Sequence, residues 1–172
     1  MKNSISLDNL LLIYEEEISK NIKNKKKLYD FEINKMQYIE NIIYMLNNGY
    51  VGHNHYNIFL IYEPKCRLVM SLSVKDKVIN HFVTRYILEK KLTKNLDDRN
   101  VATRKGMGTD YAVKLVIKYM NKLKQKYDKF YVLKLDISKY FYSIDHEVLK
   151  NLMIDKLDTY EYDIINKIIE ST

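Results

Sequence analysis

Cysteine and proline are almost absent from this sequence, since each occurs once in 172 residues. The single cysteine, Cys66, excludes an internal disulfide and any metal site built from several thiolates. The scarcity of proline, with a hydrophobic fraction of 47%, excludes a disordered tail, and the length predicts one domain or part of one. No leading apolar segment resembles a signal peptide or a membrane span, so we expect a cytoplasmic protein without a membrane partner.

Acidic residues are scarce in the middle of the chain. Residues 65 to 136 carry 18 basic and 7 acidic side chains, whereas the segments on either side are net negative. A basic segment suits a polyphosphate partner, because each neutralised phosphate releases counterions. A solvated helix face is the other interpretation. Both stay open for the lysines near the centre of this segment, which are Lys114, Lys118, Lys122, Lys124 and Lys126.

The predicted elements combine helices with a hairpin and one further strand, which indicates an α+β fold. Helical spacing of apolar residues predicts a first helix over residues 7 to 23 and a second that follows Asp30 and stops at Asn48-Gly49. Alternating residues 56 to 62 and 67 to 71 predict a hairpin. A third helix begins with a capping box of Ser73 and Asp76, a fourth follows residue 109, and two more end the chain.

A short apolar run is followed by an aspartate. Residues 130 to 135, Phe-Tyr-Val-Leu-Lys-Leu, have the length and β-propensity of a buried strand, and Asp136 comes directly after them. A tight turn and a helix capped by Asp145 should follow. Metal-dependent phosphoryl-transfer enzymes hold a carboxylate at such a strand end, because oxygen ligands suit Mg²⁺. A turn or helix cap is the alternative.

The eleven residues from Asp136 to His146 carry a family resemblance. Their sequence, DISKYFYSIDH, resembles the Asp-Ile-x-x-Phe-Phe-x-x-Ile-x-His block of bacterial reverse transcriptases from group II introns, retrons and diversity-generating retroelements. The resemblance implies that Asp136 is catalytic and binds the Mg²⁺ ions. It also implies that Ile137 lends its backbone carbonyl to one ion, and that Phe141 packs under the nucleotide sugar.

Three further blocks resemble the same family in the same order. Residues 63 to 67, EPKCR, are similar to its Glu-Pro-Lys-x-Arg block, which implies that Lys65 and Arg67 bind the incoming nucleotide. Residues 76 to 81 are similar to its Asp-Arg-Val-Val-x-His pattern, except that Lys77 replaces arginine and loses the bidentate geometry. Residues 100 to 109 are similar to a fingers block near the template, and they imply nucleic-acid contacts for Arg104, Lys105, Gly106 and Gly108.

The resemblance covers the fingers and only the first part of a right-hand polymerase palm. It implies helix-rich fingers with a β-hairpin over residues 1 to 129, and an incomplete palm of one strand and helices over residues 130 to 172. The family's Tyr-x-Asp-Asp motif is missing, and we expect the adjacent Asp97 and Asp98 to be ordinary surface charges. The chain alone is predicted to be inactive, because one metal-binding carboxylate cannot hold two ions.

The implied function is that of the N-terminal part of an RNA-directed DNA polymerase. The complete enzyme would use Mg²⁺, an RNA template, a DNA product and a deoxynucleoside triphosphate, with the missing C-terminal half as the partner. Exposed palm surface predicts self-association. Two other hypotheses stay open: a non-catalytic RNA- or DNA-binding module with a reverse-transcriptase-like fold, and a folded fragment with little function of its own.

Overall fold

The protein is mainly helical. A computed structural model describes residues 2–53 and 55–172, the side chain of Asn95 excepted, and it is 62% helical with a two-stranded antiparallel sheet, as the α+β prediction requires. Its elements are α1 (Leu7–Ile13), α2 (Lys25–Ile33), α3 (Lys35–Asn48), β1 (Tyr56–Ile61), β2 (Arg67–Leu72), α4 (Val74–Val83), α5 (Glu89–Leu92), α6 (Thr109–Lys126), α7 (His146–Ile154) and α8 (Thr159–Glu170).

The chain divides into two compact units. Unit 1 comprises Met1–Lys94 together with Asp145–Thr172, and unit 2 comprises Asn95–Ile144. This division follows packing, and it leaves the predicted functional boundary between residues 129 and 130 untested. The two termini of the chain therefore belong to one unit, and the residues that resemble catalytic and template-binding blocks lie mostly in the other.

The first predicted helix is confirmed at its start. The Ser6 side chain accepts a hydrogen bond from the Asn9 backbone N–H, and α1 continues through a π-helical segment (Tyr14–Ile18) and a 3-10 turn (Ser19–Asn21). The start of the second predicted helix is wrong, because α2 begins at Lys25 behind an Asn24 cap and Asp30 lies inside it. The helix is also broken at Asn34 into α2 and α3. It stops where the sequence predicts, since Gly49 has the left-handed φ of 67° that glycine adopts without steric cost.

The hairpin and the third helix are also where the sequence predicts them. Strands β1 and β2 pair from Tyr56 with Leu72 to Ile61 with Arg67. The Ser73 hydroxyl accepts from the Asp76 N–H at 3.1 Å and donates to the Asp76 carboxylate at 2.6 Å. The predicted capping box is therefore half right, because the carboxylate binds the Ser73 hydroxyl and not its backbone N–H.

The hydrophobic core of unit 1 joins both ends of the chain. Completely buried side chains come from the first helical segment, α3, α4 and α8, and burying each aliphatic one contributes about 1.5–3 kcal/mol. Polar bonds add to this packing: the Tyr160 hydroxyl donates to the Leu46 carbonyl, and Lys167 Nζ donates to the Gly49 carbonyl at 3.0 Å. The core includes Leu10, Ile13, Tyr14, Ile39, Ile42, Leu46, Val78, Ile79, Phe82 and Ile164.

Unit 2 has a different character, because none of its described side chains is buried. Helix α6 forms as predicted, but its apolar stripe faces solvent: Val113, Val116 and Ile117 are each at least half exposed. The unit contains this helix, irregular connections and a 3-10 turn (Tyr140–Ser143). Its apolar side chains are consequently available to a partner.

The strand predicted over residues 130 to 135 is wrong. That segment has no regular secondary structure and pairs with no strand in the described part of the chain, and Tyr131, Leu133 and Leu135 are 96%, 80% and 81% exposed. The physical reason is that a strand exists only as part of a sheet, whose backbone hydrogen bonds come from neighbouring strands. The segment has the β-propensity of a strand, but the described part of the chain offers no neighbouring strand to pair with it.

Candidate functional site

The hairpin tip presents two basic side chains to solvent. Lys65 lies in the connection between β1 and β2, and Arg67 is the first residue of β2, opposite Ile61. Both are exposed, and neither makes a side-chain hydrogen bond or ion pair within residues 2–53 and 55–172. Their donors are free to grip phosphate oxygens, the guanidinium through two parallel bonds and the ammonium as a point charge.

The connection before α6 is built around Arg104. Its Nη1 donates to the carbonyls of Asp97 and Asn100, both at 3.1 Å, so part of the guanidinium holds the loop together. Asp97 in turn pairs with Arg99 at 2.7 Å, an interaction that holds the pKa of Asp97 well below its usual range. Asp97 is thus a surface charge, as predicted, and the exposed Lys105 is the basic side chain here without a partner in the described chain.

Two glycines shape the start of α6 in different ways. Gly106 has φ 75°, a left-handed conformation, whereas Gly108 is extended, and a methyl group added to either glycine would meet no other atom within 4 Å. No side chain caps α6, and residues 106 to 111 line a cavity of about 430 Å³ at the start of the helix. Asp110 also lies in this first turn and opposes an anion there.

Four lysines form a row along α6. Lys114, Lys118, Lys122 and Lys126 follow one another every four residues, which places them along one side of the helix about 6 Å apart in rise. All are exposed, and none forms an ion pair within the described chain. Residues 95 to 144 as a whole carry 11 basic and 5 acidic side chains. The row supplies a linear positive field suited to a phosphate backbone.

Asp136 lies in unit 2, in a segment without regular secondary structure, and is exposed to solvent. Its carboxylate is exposed and has no hydrogen-bond or ion-pair partner among the described residues, so it does not act as a turn or helix cap here. The cap of α7 is Asp145, as predicted, whose Oδ1 accepts from the N–H groups of Glu147 and Val148. Phe141 is 83% exposed and contacts Tyr140 edge to face, with ring centroids 5.4 Å apart.

The donors around Asp136 do not complete a two-metal site. No group of three or more histidine, cysteine or acidic side chains could hold a metal ion within the described residues. Asp136 offers one carboxylate and Ile137 one backbone carbonyl, whereas two Mg²⁺ ions need several more oxygen ligands. The present donor set therefore does not fit the pair of ions without carboxylates from elsewhere.

The predicted site residues fall in both units. Lys65 and Arg67 belong to unit 1, whereas Asp136, Ile137, Phe141 and the turn from Arg104 to Gly108 belong to unit 2. His81, the last residue of the block from 76 to 81, is exposed and has its Nδ1 2.6 Å from a carboxylate oxygen of Glu17. It serves packing of α4 against the first helical segment.

Sequence reasoning missed a buried polar cluster in unit 1. His53 is buried, and its Nδ1 lies 3.9 Å from the Asp76 carboxylate without a hydrogen-bond partner among the described atoms. Its backbone N–H donates to the Ser171 hydroxyl at 2.8 Å. The cluster ties the segment before β1 to the end of α8. The sequence around His53 does not predict this cluster, because Ser171 lies 118 residues away along the chain.

Comparison with known proteins adds no assignment. No protein-family model matches the sequence, and no curated protein matches it significantly. In the described part of the chain, no helix has both the length and the apolar character needed to cross a bilayer.

Proposed function

We propose that this chain is the N-terminal part of an RNA-directed DNA polymerase of the bacterial reverse-transcriptase type. In this proposal the hairpin tip binds the incoming nucleotide, and unit 2 contributes template contacts and the first metal-binding aspartate. The fold would be that of polymerase fingers followed by the beginning of a palm. The observation that carries the proposal is the block from Asp136 to His146, which follows three other family-like blocks in the family's order.

Side-chain availability supports the nucleotide-binding part of the proposal. Lys65 and Arg67 are exposed and unpaired in the described chain, so their charges are not used up by internal salt bridges. A triphosphate offers several anionic oxygens to such donors. Phe141 is also exposed, and a bulky ring under the sugar would exclude a 2′-hydroxyl by steric contact.

The exposed segment from residue 130 to Asp136 supports the part of the proposal in which further polypeptide completes the palm. Its apolar side chains and unpaired backbone groups would be buried by neighbouring strands, and burial of this kind is what holds a strand-end carboxylate rigidly. In the proposal, those strands and the remaining carboxylates come from further polypeptide. The isolated chain would then bind substrates weakly and catalyse nothing.

A primer-extension assay tests this proposal. The homogeneous chain should show no incorporation of deoxynucleotides on a primed RNA template, whereas the chain joined to a polypeptide carrying the Tyr-x-Asp-Asp hairpin should extend the primer in Mg²⁺ buffer. One carboxylate cannot hold the two ions that clamp both reacting oxygens. Extension by the isolated chain would therefore disprove the proposal that the remaining carboxylates come from further polypeptide. Failure of every complemented form would disprove the polymerase assignment.

The lysine row on α6 favours a second candidate function, a nucleic-acid-binding module without chemistry. Under that candidate, the chain alone binds RNA with strong salt dependence, and replacing Lys114, Lys118 and Lys122 by glutamine reduces the slope of log affinity against log salt by about 0.7 per lost contact. Lys20, Lys23 and Lys25 provide a control of equal charge change. Equal effects of both triple variants would exclude α6 as the binding surface.

A further inference from the structure

A large cavity opens in unit 1, and none of its lining residues belongs to the proposed polymerase site. It has a volume of about 570 Å³ and lies between α2, the first turn of α3, β1 and the start of α4. Small-molecule sites in proteins have volumes of roughly 300–1,000 Å³. The cavity is therefore large enough for a ligand of nucleotide size, and the inference is independent of the proposed function.

The cavity is lined by an excess of positive charge. Lys26 and Lys27 on α2 and Lys75 on α4 contribute three ammonium groups, and Asp30 is the one carboxylate among the described lining residues. Lys26 and Lys27 make no ion pair or side-chain hydrogen bond within the described chain, and Lys75 Nζ donates only to the Asn41 amide oxygen, at 3.2 Å. Like charges gathered around one space repel each other, and a bound anion relieves that repulsion.

One wall of the cavity is aromatic and fixed in place. Phe31 is almost completely buried and stacks on Tyr14 with ring centroids 4.5 Å apart, and Tyr38 lies 5.2 Å from Phe31. The Tyr38 hydroxyl donates to Asp30 Oδ2 at 3.3 Å, so the single lining carboxylate already has a partner. The half-buried Tyr38 ring offers a flat apolar surface beside the ammonium groups.

The helix starts near the cavity do not carry the inference. Asn24 and Ser73 precede α2 and α4, but their side chains already accept hydrogen bonds from the backbone N–H groups of Lys27 and Asp76. The groups that could contact a ligand are the three lysine side chains and the aromatic wall. Together they suit a molecule with an anionic end and a planar or apolar end.

We propose that this cavity binds a nucleotide, with its phosphate between Lys26, Lys27 and Lys75 and its base or sugar against Tyr38. A phosphate ester presents several charged oxygens to ammonium groups approaching from α2 and α4. A base has a flat face that stacks on an aromatic ring without requiring a particular sequence. The same phosphate chemistry is offered by a free nucleotide and by a nucleotide within a single strand.

Calorimetric titration of the full chain tests the site. Adenosine monophosphate should bind, adenosine should bind at least tenfold more weakly, and inorganic phosphate should compete with the nucleotide. The variant K26A/K27A should weaken nucleotide binding at least tenfold, because both unpaired ammonium groups are lost. The control K20A/K25A removes two exposed lysines that do not line the cavity, and it should change the dissociation constant less than twofold.

Further measurements distinguish binding in this cavity from binding at the hairpin tip, and they show whether the phosphate belongs to a free nucleotide or to a strand. If K65A/R67A removes nucleotide binding and K26A/K27A does not, the cavity proposal is overturned while the polymerase proposal survives. No binding of adenosine monophosphate or of a twelve-nucleotide RNA by the wild-type chain also overturns it. Displacement of the monophosphate by that RNA, together with weaker RNA binding by K26A/K27A, supports the site and assigns it to a strand phosphate; binding of the monophosphate alone supports a free nucleotide.

Discussion

The two glycines before α6 differ in backbone conformation although they stand two residues apart. Gly106 has a left-handed φ of 75°, and Gly108 is extended, a conformation open to any residue. Alanine at residue 106 would therefore cost about 1–2 kcal/mol of backbone strain, even though its methyl group meets no atom. The turn that presents Lys105 beside the open end of α6 depends on this one residue.

We therefore expect Gly106→Ala to weaken RNA binding several-fold, because the turn must shift to relieve the strain. Gly108→Ala introduces no such strain, because Gly108 is extended, and it should weaken binding less than Gly106→Ala does. Fluorescence anisotropy of a labelled RNA at fixed salt measures both. Equal affinities for the two variants would show that the turn does not contact the nucleic acid.

Asp145 has a structural function at the start of α7. Its Oδ1 accepts hydrogen bonds from two backbone N–H groups, at 2.8 and 3.1 Å, so Asp145→Ala should lower the free energy of unfolding by about 1 kcal/mol. Asp145→Asn keeps the acceptor and should recover most of the loss. Urea denaturation of the two variants gives the comparison, and an unaffected alanine variant would contradict the capping role.

Under the proposed function, Phe141 should act on sugar selection in the complemented protein. Removing its ring in Phe141→Ala should admit ribonucleotides, since the bulk that excludes a 2′-hydroxyl is gone. Tyr142→Ala is the control, because Tyr142 is a neighbouring ring that is equally exposed, at 84%. The ratio of ribonucleotide to deoxynucleotide incorporation is measured, and a ratio unchanged by Phe141→Ala would refute the assignment.

Elements defined by local chemistry could be predicted from the sequence. Ser73 and Asp145 cap helices where they were expected, Gly49 ends α3, and the hairpin pairs as its alternation predicts. The break at Asn34 was missed, since apolar spacing continues across it. The strand over residues 130 to 135 failed for a non-local reason, because its hydrogen-bond partners lie outside its own sequence and the described chain supplies none.

The candidate site was less predictable than the helices. The basic residues of the hairpin tip are exposed, as the hairpin prediction implies. The hydrogen bond from Arg104 to the Asp97 carbonyl, within the same loop, could not be predicted from the sequence. The lysines of the unit 1 cavity were visible only as a charge cluster. Their convergence with Lys75 and Tyr38 requires the packing of four elements, which periodicity does not reveal.

Hydrogen exchange tests the state of the segment from residue 128 to residue 138. Its backbone N–H groups make no backbone hydrogen bond within the described chain, so they should exchange rapidly in the isolated protein. The paired residues of β1 and β2 serve as an internal reference and should exchange more slowly. Under the proposed function, complementation by a polypeptide that carries the rest of the palm should protect the segment. Protection equal to that of the hairpin in the isolated chain would contradict the unpaired state.

The buried core and the concentrated positive charge of this protein lie in different units. Unit 1 contains the buried core and joins both ends of the chain, whereas unit 2 has no buried side chain among those described and carries a net positive charge. Stability therefore resides mainly in unit 1. Unit 2 combines an exposed apolar helix face, an exposed irregular segment and the lysine row, and such a unit is suited to acquiring its final packing from a partner and from nucleic acid.

The most direct test of the central proposal is primer extension by the complemented protein carrying Asp136→Ala. Asp128→Ala is the matched control, because Asp128 is another exposed aspartate of unit 2. We predict that Asp136→Ala abolishes Mg²⁺-dependent DNA synthesis on RNA while Asp128→Ala leaves it intact. Synthesis at the wild-type rate in Asp136→Ala would remove this residue from the catalytic site and contradict the proposal.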